Sequence, residues 1–175
     1  PPDAPDFSDP VLFNNIFWDN RAGVFDQTLN GGRGGIAGIG APGDVRPINV
    51  MDLEVFALPA THLTPEYCSL SAAYAAGSNN QVGDPVFKRE YDTQVTAVAF
   101  NMEPDFKAVK LITVTPDYDG DYHLTSGSTL VIDRATPEVT RLVDGVPVTY
   151  RAPGNDFDGK VRPKGAGYDI GADEY

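Results

Sequence analysis

Three aspartates at alternating positions are the first residues in the chain that suggest metal chemistry. Asp117, Asp119 and Asp121 belong to the segment Asp-Tyr-Asp-Gly-Asp, and residues 155–159 form a second acidic turn. Carboxylate oxygens are hard ligands, and three of them spaced in this way suit Ca²⁺. The segment is not an EF-hand loop, which needs glycine at its sixth position and glutamate at its twelfth. Ca²⁺ is the one candidate cofactor, and the alternative is an acidic turn without a metal.

The residues that catalysis would need are scarce. His62 and His123 are the only histidines and Cys68 is the only cysteine, which is too few for a zinc site of nitrogen and sulfur ligands. We expect His123 to be packed and hydrogen-bonded. Ser128, His123 and Asp133 could be drawn as a triad, but the sequence lacks a nucleophile elbow and an oxyanion loop. We assign no catalytic residue, and the sequence favours a non-enzymatic protein.

The composition favours a single domain with a core and opposes nucleic-acid binding and membrane insertion. The chain has 175 residues, of which 41% are hydrophobic, and its net charge is −12. Residues 1–10 are predicted to be a proline-rich arm, and residues 11–175 are long enough for a single β-rich domain with a core. The negative charge opposes binding to nucleic acid, whose phosphates would repel it. No apolar run approaches the ~20 residues that cross a bilayer, so we expect no direct membrane insertion.

The spacing of strands and turns predicts an all-β fold. The 18 glycines and 15 prolines suit short strands joined by turns and oppose long helices. Residues 94–102 and 107–115 have the strongest strand composition, and their spacing predicts an antiparallel hairpin. Residues 138–143 and 146–151 flank Asp144-Gly145, a dipeptide typical of two-residue hairpin turns. Shorter strands are predicted at residues 11–20, 48–58, 67–70 and 129–133.

The C-terminal segment, residues 156–175, contains the most distinctive arrangement of turn residues. Asp158-Gly159 predicts a turn, because glycine accepts positive φ and aspartate bonds to the nearby backbone. Arg162 precedes a proline and is expected to be extended. Ile170 is flanked by polar residues and glycine, so we expect it to be a buried apolar plug.

Five motifs in the chain occur in the order that they have in a known family. They are Asn-Ile-Phe-Trp-Asp-Asn at residues 15–20, Tyr-Cys-Ser-Leu at 67–70, Gly-Asp-Pro-Val-Phe at 83–87, Asp-Tyr-His-Leu at 121–124 and the C-terminal segment. With these motifs the chain resembles the C-terminal region of bacterial cell-surface right-handed parallel β-helix proteins, the choice-of-anchor Q group of the pectate-lyase-like superfamily. The structural residues that carry the resemblance are Trp18, Asp156, Asp158, Gly159, Arg162, Asp169, Ile170 and Gly171.

The resemblance implies a fold and a function. The fold is the last coil or coils and the cap of a right-handed parallel β-helix, with residues 88–118 as an inserted antiparallel hairpin. Trp18 is expected to be buried in it. The function is a non-enzymatic structural or adhesion role in an extracellular or cell-surface assembly. One alternative is the cap of a polysaccharide lyase or hydrolase whose active site lies upstream. The other is a carbohydrate-binding module, for which Trp18 and Tyr74 are the candidate aromatic platform.

The first strand is expected to need a partner. Residues 11–20 resemble an internal coil of a solenoid, although only ten residues precede them. An uncovered parallel coil leaves backbone groups unpaired and an apolar cross-section exposed, which invites another strand. The apolar residues at this face are Phe7, Val11, Phe13 and Ile16. We expect them to contact copies of the same chain, a partner protein or an upstream segment, and polysaccharide is a further candidate ligand.

Overall fold

A computed structural model describes residues 8–32, 34–40, 45–55, 62–90, 98–100, 109–111 and 120–175. These residues form eleven short strands and one helical turn, α1 (Leu29–Gly32). The strands are β1 (Ile16–Phe17), β2 (Val24–Asp26), β3 (Gly35–Ala37), β4 (Ser69–Leu70), β5 (Gln81–Val82), β6 (Phe87–Arg89), β7 (Val98–Phe100), β8 (Val109–Leu111), β9 (Asp121–Leu124), β10 (Glu138–Val143) and β11 (Val146–Arg151). The predicted all-β class is confirmed. No described helix has the length and apolar character that spanning a membrane requires.

The chain divides into two compact units. The first comprises Pro1–Asp19, Asp52–Lys88 and Tyr122–Tyr175, and the second comprises Asn20–Met51 and Arg89–Asp121. The second unit therefore contains both the segment that follows the first strand and most of the predicted insertion. It contains two antiparallel pairs, β2 with β3 and β7 with β8. The groove and the histidine–aspartate cluster described below lie in the first unit.

The first unit contains a parallel sheet of three strands in the order β1-β4-β5. Ile16 pairs with Ser69, and Ser69 pairs with Gln81, so the three strands stack in register. Isolated parallel bridges extend the same ladder three residues before each strand. We call the resulting five-residue stretches the first, second and third rungs; they are residues 13–17, 66–70 and 78–82.

The second residue of every rung has a left-handed backbone conformation. The φ angle is 57° at Asn14, 51° at Tyr67 and 57° at Asn79. Asparagine enters this region more readily than most residues, whereas other side chains pay about 1–2 kcal/mol for it. The prediction of one continuous strand over residues 11–20 is wrong, because the left-handed residue interrupts the strand and confines regular pairing to β1.

The C-terminal segment packs on the first rung. The N–H of Gly171 donates to the carbonyl oxygen of Asn14 at 2.9 Å, and the N–H of Ile170 donates to that of Val131 at 2.9 Å. The side chain of Ile170 is fully buried in a cluster with Leu124 and Val131. The prediction of a buried apolar plug at Ile170 is therefore confirmed.

Gly171 lies in close contact with the first rung, whereas Trp18 is packed less tightly. Gly171 has a φ of +106°, and a Cβ atom there would lie only 2.8 Å from Cδ1 of Ile16. Another residue at this position would be strained in this backbone conformation and would displace the end of the Ile16 side chain. Trp18 is only partly buried, so its burial is less complete than predicted. It lies just beyond the last residue of β1 that pairs with β4.

Both hairpins predicted from local signals are present. Strands β10 and β11 pair along their whole length, and Val143 lies opposite Val146 across the turn. Asp144 and Gly145 have φ angles of 51° and 77°, as a two-residue turn of the favoured twist requires. Strands β7 and β8 pair antiparallel, so the hairpin predicted for the insertion is confirmed at residues 98–100 and 109–111.

Two of the shorter predicted strands are not formed. Residues 129–133 make consecutive turns, in which the N–H groups of Val131 and Ile132 donate to the carbonyl oxygen of Ser128. In residues 48–55, the described part of the other predicted strand, Val50 makes only an isolated bridge with Arg21. A run of apolar residues indicates burial but does not by itself indicate strand pairing. Val131, for example, is buried next to Ile170 without belonging to a sheet.

The plug at Ile170 provides a test of the packing. Replacing Ile170 by Ala removes buried atoms from the core cluster, and we expect the free energy of unfolding to fall by about 2–5 kcal/mol. Urea denaturation measures the change. Val161→Ala is the matched control, because Val161 belongs to the same segment and is exposed; it should cost less than about 0.5 kcal/mol. Equal losses in the two variants would contradict the packing described here.

Candidate functional site

A groove with a volume of about 670 Å³ lies in the first unit, between the first rung and the C-terminal segment. Its apolar lining includes Phe13, Ile16, Phe87, Tyr122 and Phe157. Its polar lining includes Asn14, Asn15, Arg151, Asn155, Asp156 and Asp173. Concave sites with aromatic walls and a few polar groups are the usual form of ligand sites in proteins.

Three elements bring the aromatic side chains to the groove. Phe13 belongs to the first rung, Tyr122 to β9, and Phe157 to the turn that opens the C-terminal segment. The rings of Tyr122 and Phe87 meet edge to face, with their centroids 5.2 Å apart. This arrangement is favourable for aromatic pairs and holds Tyr122 in place. Tyr122 and Phe157 remain exposed and can therefore contact a ligand.

A buried ion pair adjoins the groove, whose lining includes Arg162. Nε of Arg162 donates to Oε1 of Glu174 at 2.7 Å, and the two side chains are 3% and 0% exposed. Nη2 of Arg162 also donates to the carbonyl oxygen of Asp169 at 2.7 Å. The carboxylate of Glu174 accepts two further bonds, from the N–H groups of Asp169 and Lys164. Buried charges need this degree of pairing, because desolvation is otherwise unfavourable.

Asp169 extends the same network. Its carboxylate accepts bonds from the N–H groups of Asp133 at 2.7 Å and Tyr175 at 2.8 Å. Burial raises the pKa of Asp169, and these two hydrogen bonds act in the opposite direction. The side chain thus fixes both the chain end and the turn before residue 133.

The turn at residues 156–159 forms as predicted. Oδ1 of Asp156 accepts a bond from the N–H of Lys160 at 2.7 Å, and the N–H of Gly159 donates to the carbonyl oxygen of Asp156 at 3.0 Å. Gly159 has a φ of +81°, which glycine tolerates. The turn places Phe157 in the groove and positions the side chain of Asp158 beside His123.

His123, Asp158 and Asp173 form a cluster beside the groove. Nε2 of His123 lies 3.1 Å from Oδ2 of Asp158, and the same oxygen accepts a bond from Nζ of Lys160. Hydrogen bonds from Lys160 and His123 lower the pKa of Asp158, and the bond to Asp158 raises the pKa of Lys160. Oδ2 of Asp173 accepts a bond from the N–H of Leu124 at 2.7 Å. One candidate ligand atom from each member of the cluster lies within 4.8 Å of the others.

Only some of the predicted calcium ligands and assembly residues belong to the part of the chain that the structure describes. Asp117, Asp119 and Phe7 lie outside the described residues, and Asp121 is half-buried at the start of β9. Val11, Phe13 and Ile16 are half-buried in and before the first rung. The calcium site at Asp117, Asp119 and Asp121 and the assembly contact both stay predictions.

Sequence reasoning missed the residues that contribute most to the site. Asp173 and Glu174 are the only adjacent pair of acids in the C-terminal segment, and both are buried. The local sequence gave no signal for their burial, because aspartate and glutamate are mostly exposed in proteins. Ser128 is no nucleophile in this structure, since its hydroxyl donates to the carbonyl oxygen of Val86 at 2.7 Å.

No protein-family model, curated protein or solved structure matches the chain. The resemblance to cell-surface β-helix proteins therefore stays a prediction.

The buried ion pair predicts a large difference between two arginines. Arg162→Met leaves the carboxylate of Glu174 buried without its cation, and we expect unfolding to become easier by about 3–5 kcal/mol. Arg151→Met is the control, because Arg151 pairs with Glu138 at the surface; its cost should stay below about 1 kcal/mol.

Guanidinium denaturation of both variants distinguishes these outcomes. Adding Glu174→Gln to Arg162→Met should recover part of the loss, because the unpaired charge is then removed. Similar costs for the two arginine variants would show that the Arg162–Glu174 pair does not hold the segment.

Proposed function

We propose that the chain is a non-enzymatic structural and adhesion domain of an extracellular, cell-surface or filamentous assembly. In this proposal the rungs are the final coils of a right-handed parallel β-helix, and the C-terminal segment is its cap. The observation that carries the proposal is the parallel ladder, in which three rungs repeat one pattern of pairing and backbone conformation. Stacked repeats of this kind are typical of solenoids, whose ends need covering.

The third rung supports the role in assembly. Among the described residues, no strand pairs with β5 on the side away from β4. The outer edge of a sheet presents N–H and C=O groups that can accept another strand. A strand from a second copy, or from another part of the parent protein, would continue the ladder there.

Such a contact is head-to-tail. The β5 edge of one copy would meet the half-buried face of Val11, Phe13 and Ile16 in the next. Contacts of this type build rings when the rotation closes and filaments when it does not. The C-terminal segment covers only part of the first rung, so this face retains apolar surface for the neighbour.

A charge at the edge should weaken the assembly. We expect the purified chain to associate as its concentration rises and Val82→Lys to reduce this association, because lysine at a sheet edge opposes pairing. Val82 is 48% exposed in β5. Val45→Lys is the control, since Val45 is 94% exposed and lies outside every strand.

Light scattering across a concentration series gives the measurement. A monodisperse monomer at the highest concentration, or equal effects of the two lysines, would refute self-assembly through this edge.

The groove supports a second candidate function, the binding of carbohydrate. Exposed aromatic rings offer flat apolar faces to sugar rings, and amides and charged groups can bond to hydroxyls. Tyr122 and Phe157 supply the rings, and Asn14, Asn15 and Asn155 supply amides. The net charge of −12 favours neutral over acidic sugars. The Trp18 and Tyr74 platform anticipated from the sequence is half-buried, so the groove is the better candidate surface.

Tyr122→Ala tests carbohydrate binding against a matched tyrosine. Tyr122 and Tyr175 are 48% and 50% exposed, but only Tyr122 lines the groove. We expect neutral oligosaccharides to bind in calorimetry, Tyr122→Ala to weaken binding about 5- to 10-fold, and Tyr175→Ala to leave it unchanged. No sugar should be released from the polysaccharide. Sustained product release that a point substitution abolishes would instead indicate an enzyme, such as a polysaccharide lyase or hydrolase.

A further inference from the structure

Two buried carboxylates of the C-terminal segment each keep an oxygen without a hydrogen-bond partner. These atoms are Oδ2 of Asp156 and Oδ1 of Asp173, in residues that are 7% and 4% exposed. The other oxygen of each carboxylate accepts a bond from a backbone N–H. A buried polar atom without a partner is unfavourable, and native proteins usually satisfy it with water, an ion or a ligand. Of the two residues, Asp173 belongs to the cluster that could hold a metal ion, so its unsatisfied oxygen indicates a missing ligand there.

The surrounding side chains offer a coordination set. Asp173 lies in the C-terminal segment, Asp158 in the turn at residues 156–159, and His123 in β9. Their ligand atoms lie within 4.8 Å of one another, which small movements of the half-exposed His123 and Asp158 can shorten. An imidazole nitrogen together with two carboxylate oxygens suits a transition-metal ion better than Ca²⁺, which prefers oxygen ligands only.

The charge at the cluster also calls for a cation. The ammonium group of Lys160 bonds to Asp158, and Asp156 and Asp173 also act on it electrostatically. These three carboxylates outnumber the ammonium group, and a neutral imidazole adds no positive charge. A divalent ion supplies the missing charge. Lys160 is half exposed, so its ammonium can move into solvent when the ion binds.

We propose that His123, Asp158 and Asp173 bind a divalent transition-metal ion of the Zn²⁺ type. Nε2 of His123 and one oxygen from each aspartate are the protein ligands, and water completes the coordination shell. The ion ties β9, the turn at residues 156–159 and the C-terminal segment together. This site differs from the calcium site predicted at Asp117, Asp119 and Asp121.

Calorimetric titration of the full chain with Zn²⁺ tests the proposal. We expect saturable binding of one ion and a loss of affinity of more than about 10-fold in His123→Ala. His62→Ala is the matched control, because His62 is the other histidine of the chain and lies outside the cluster. It should bind as the unsubstituted protein does. Circular dichroism without metal verifies that both variants are folded.

Lys160→Gln adds a test in the opposite direction. Removing the ammonium takes away the cation that competes for Asp158, so the affinity for Zn²⁺ should rise several-fold. Thermal unfolding should show the same order, with Zn²⁺ raising the Tm of the unsubstituted chain and of Lys160→Gln but not that of His123→Ala. Three results would overturn the proposal: no saturable binding of Zn²⁺, equal binding in His123→Ala and His62→Ala, or weaker binding in Lys160→Gln.

Discussion

The closure of the C-terminal segment by the Arg162–Glu174 ion pair is the constraint on which the first unit depends. Each partner is buried, and each makes at least one further bond to the backbone of the same segment. Replacing such a pair with apolar residues of equal volume is often neutral for stability. Its contribution is therefore geometric, since it holds residues 162–174 in one conformation. Only that conformation inserts Ile170 into the core and brings the N–H of Gly171 to Asn14.

The groove and the cluster of His123, Asp158 and Asp173 both follow from this closure. Asp173 directly precedes Glu174, so the bonds that fix Glu174 also fix the buried carboxylate beside β9. The same segment supplies one wall of the groove, and the first rung supplies another. The C-terminal segment, which is held by hydrogen bonds and an ion pair among its own residues, thus packs against short strands that have little stability of their own. The two surfaces that we propose as ligand sites lie at the margins of that contact.

Local patterns in the sequence predicted the turns correctly, but they could not predict contacts between residues that are far apart in the sequence. Asp144-Gly145 and Asp158-Gly159 have restricted conformations of their own, so their turns could be read from two residues. Ile170 was identifiable as a plug because its neighbours are polar or glycine. The contact between His123 and Asp158, which are 35 residues apart, depends on how the segment folds back. The interruptions at Asn14, Tyr67 and Asn79 were also hidden, because tyrosine rarely adopts a left-handed conformation and masks the repeat.

The three rungs pair in the same way although the segments that connect them differ greatly in length. Ser69 follows Ile16 by 53 residues, whereas Gln81 follows Ser69 by 12, yet both steps produce the same parallel pairing. The entropy of closing a loop grows only with the logarithm of its length, so the longer excursion costs about 1 kcal/mol more than the shorter one. Selection can therefore change the length of the chain between two rungs at little entropic cost to their stacking. For a protein engineer, the interval between the first and second rungs is a natural place to graft a foreign domain.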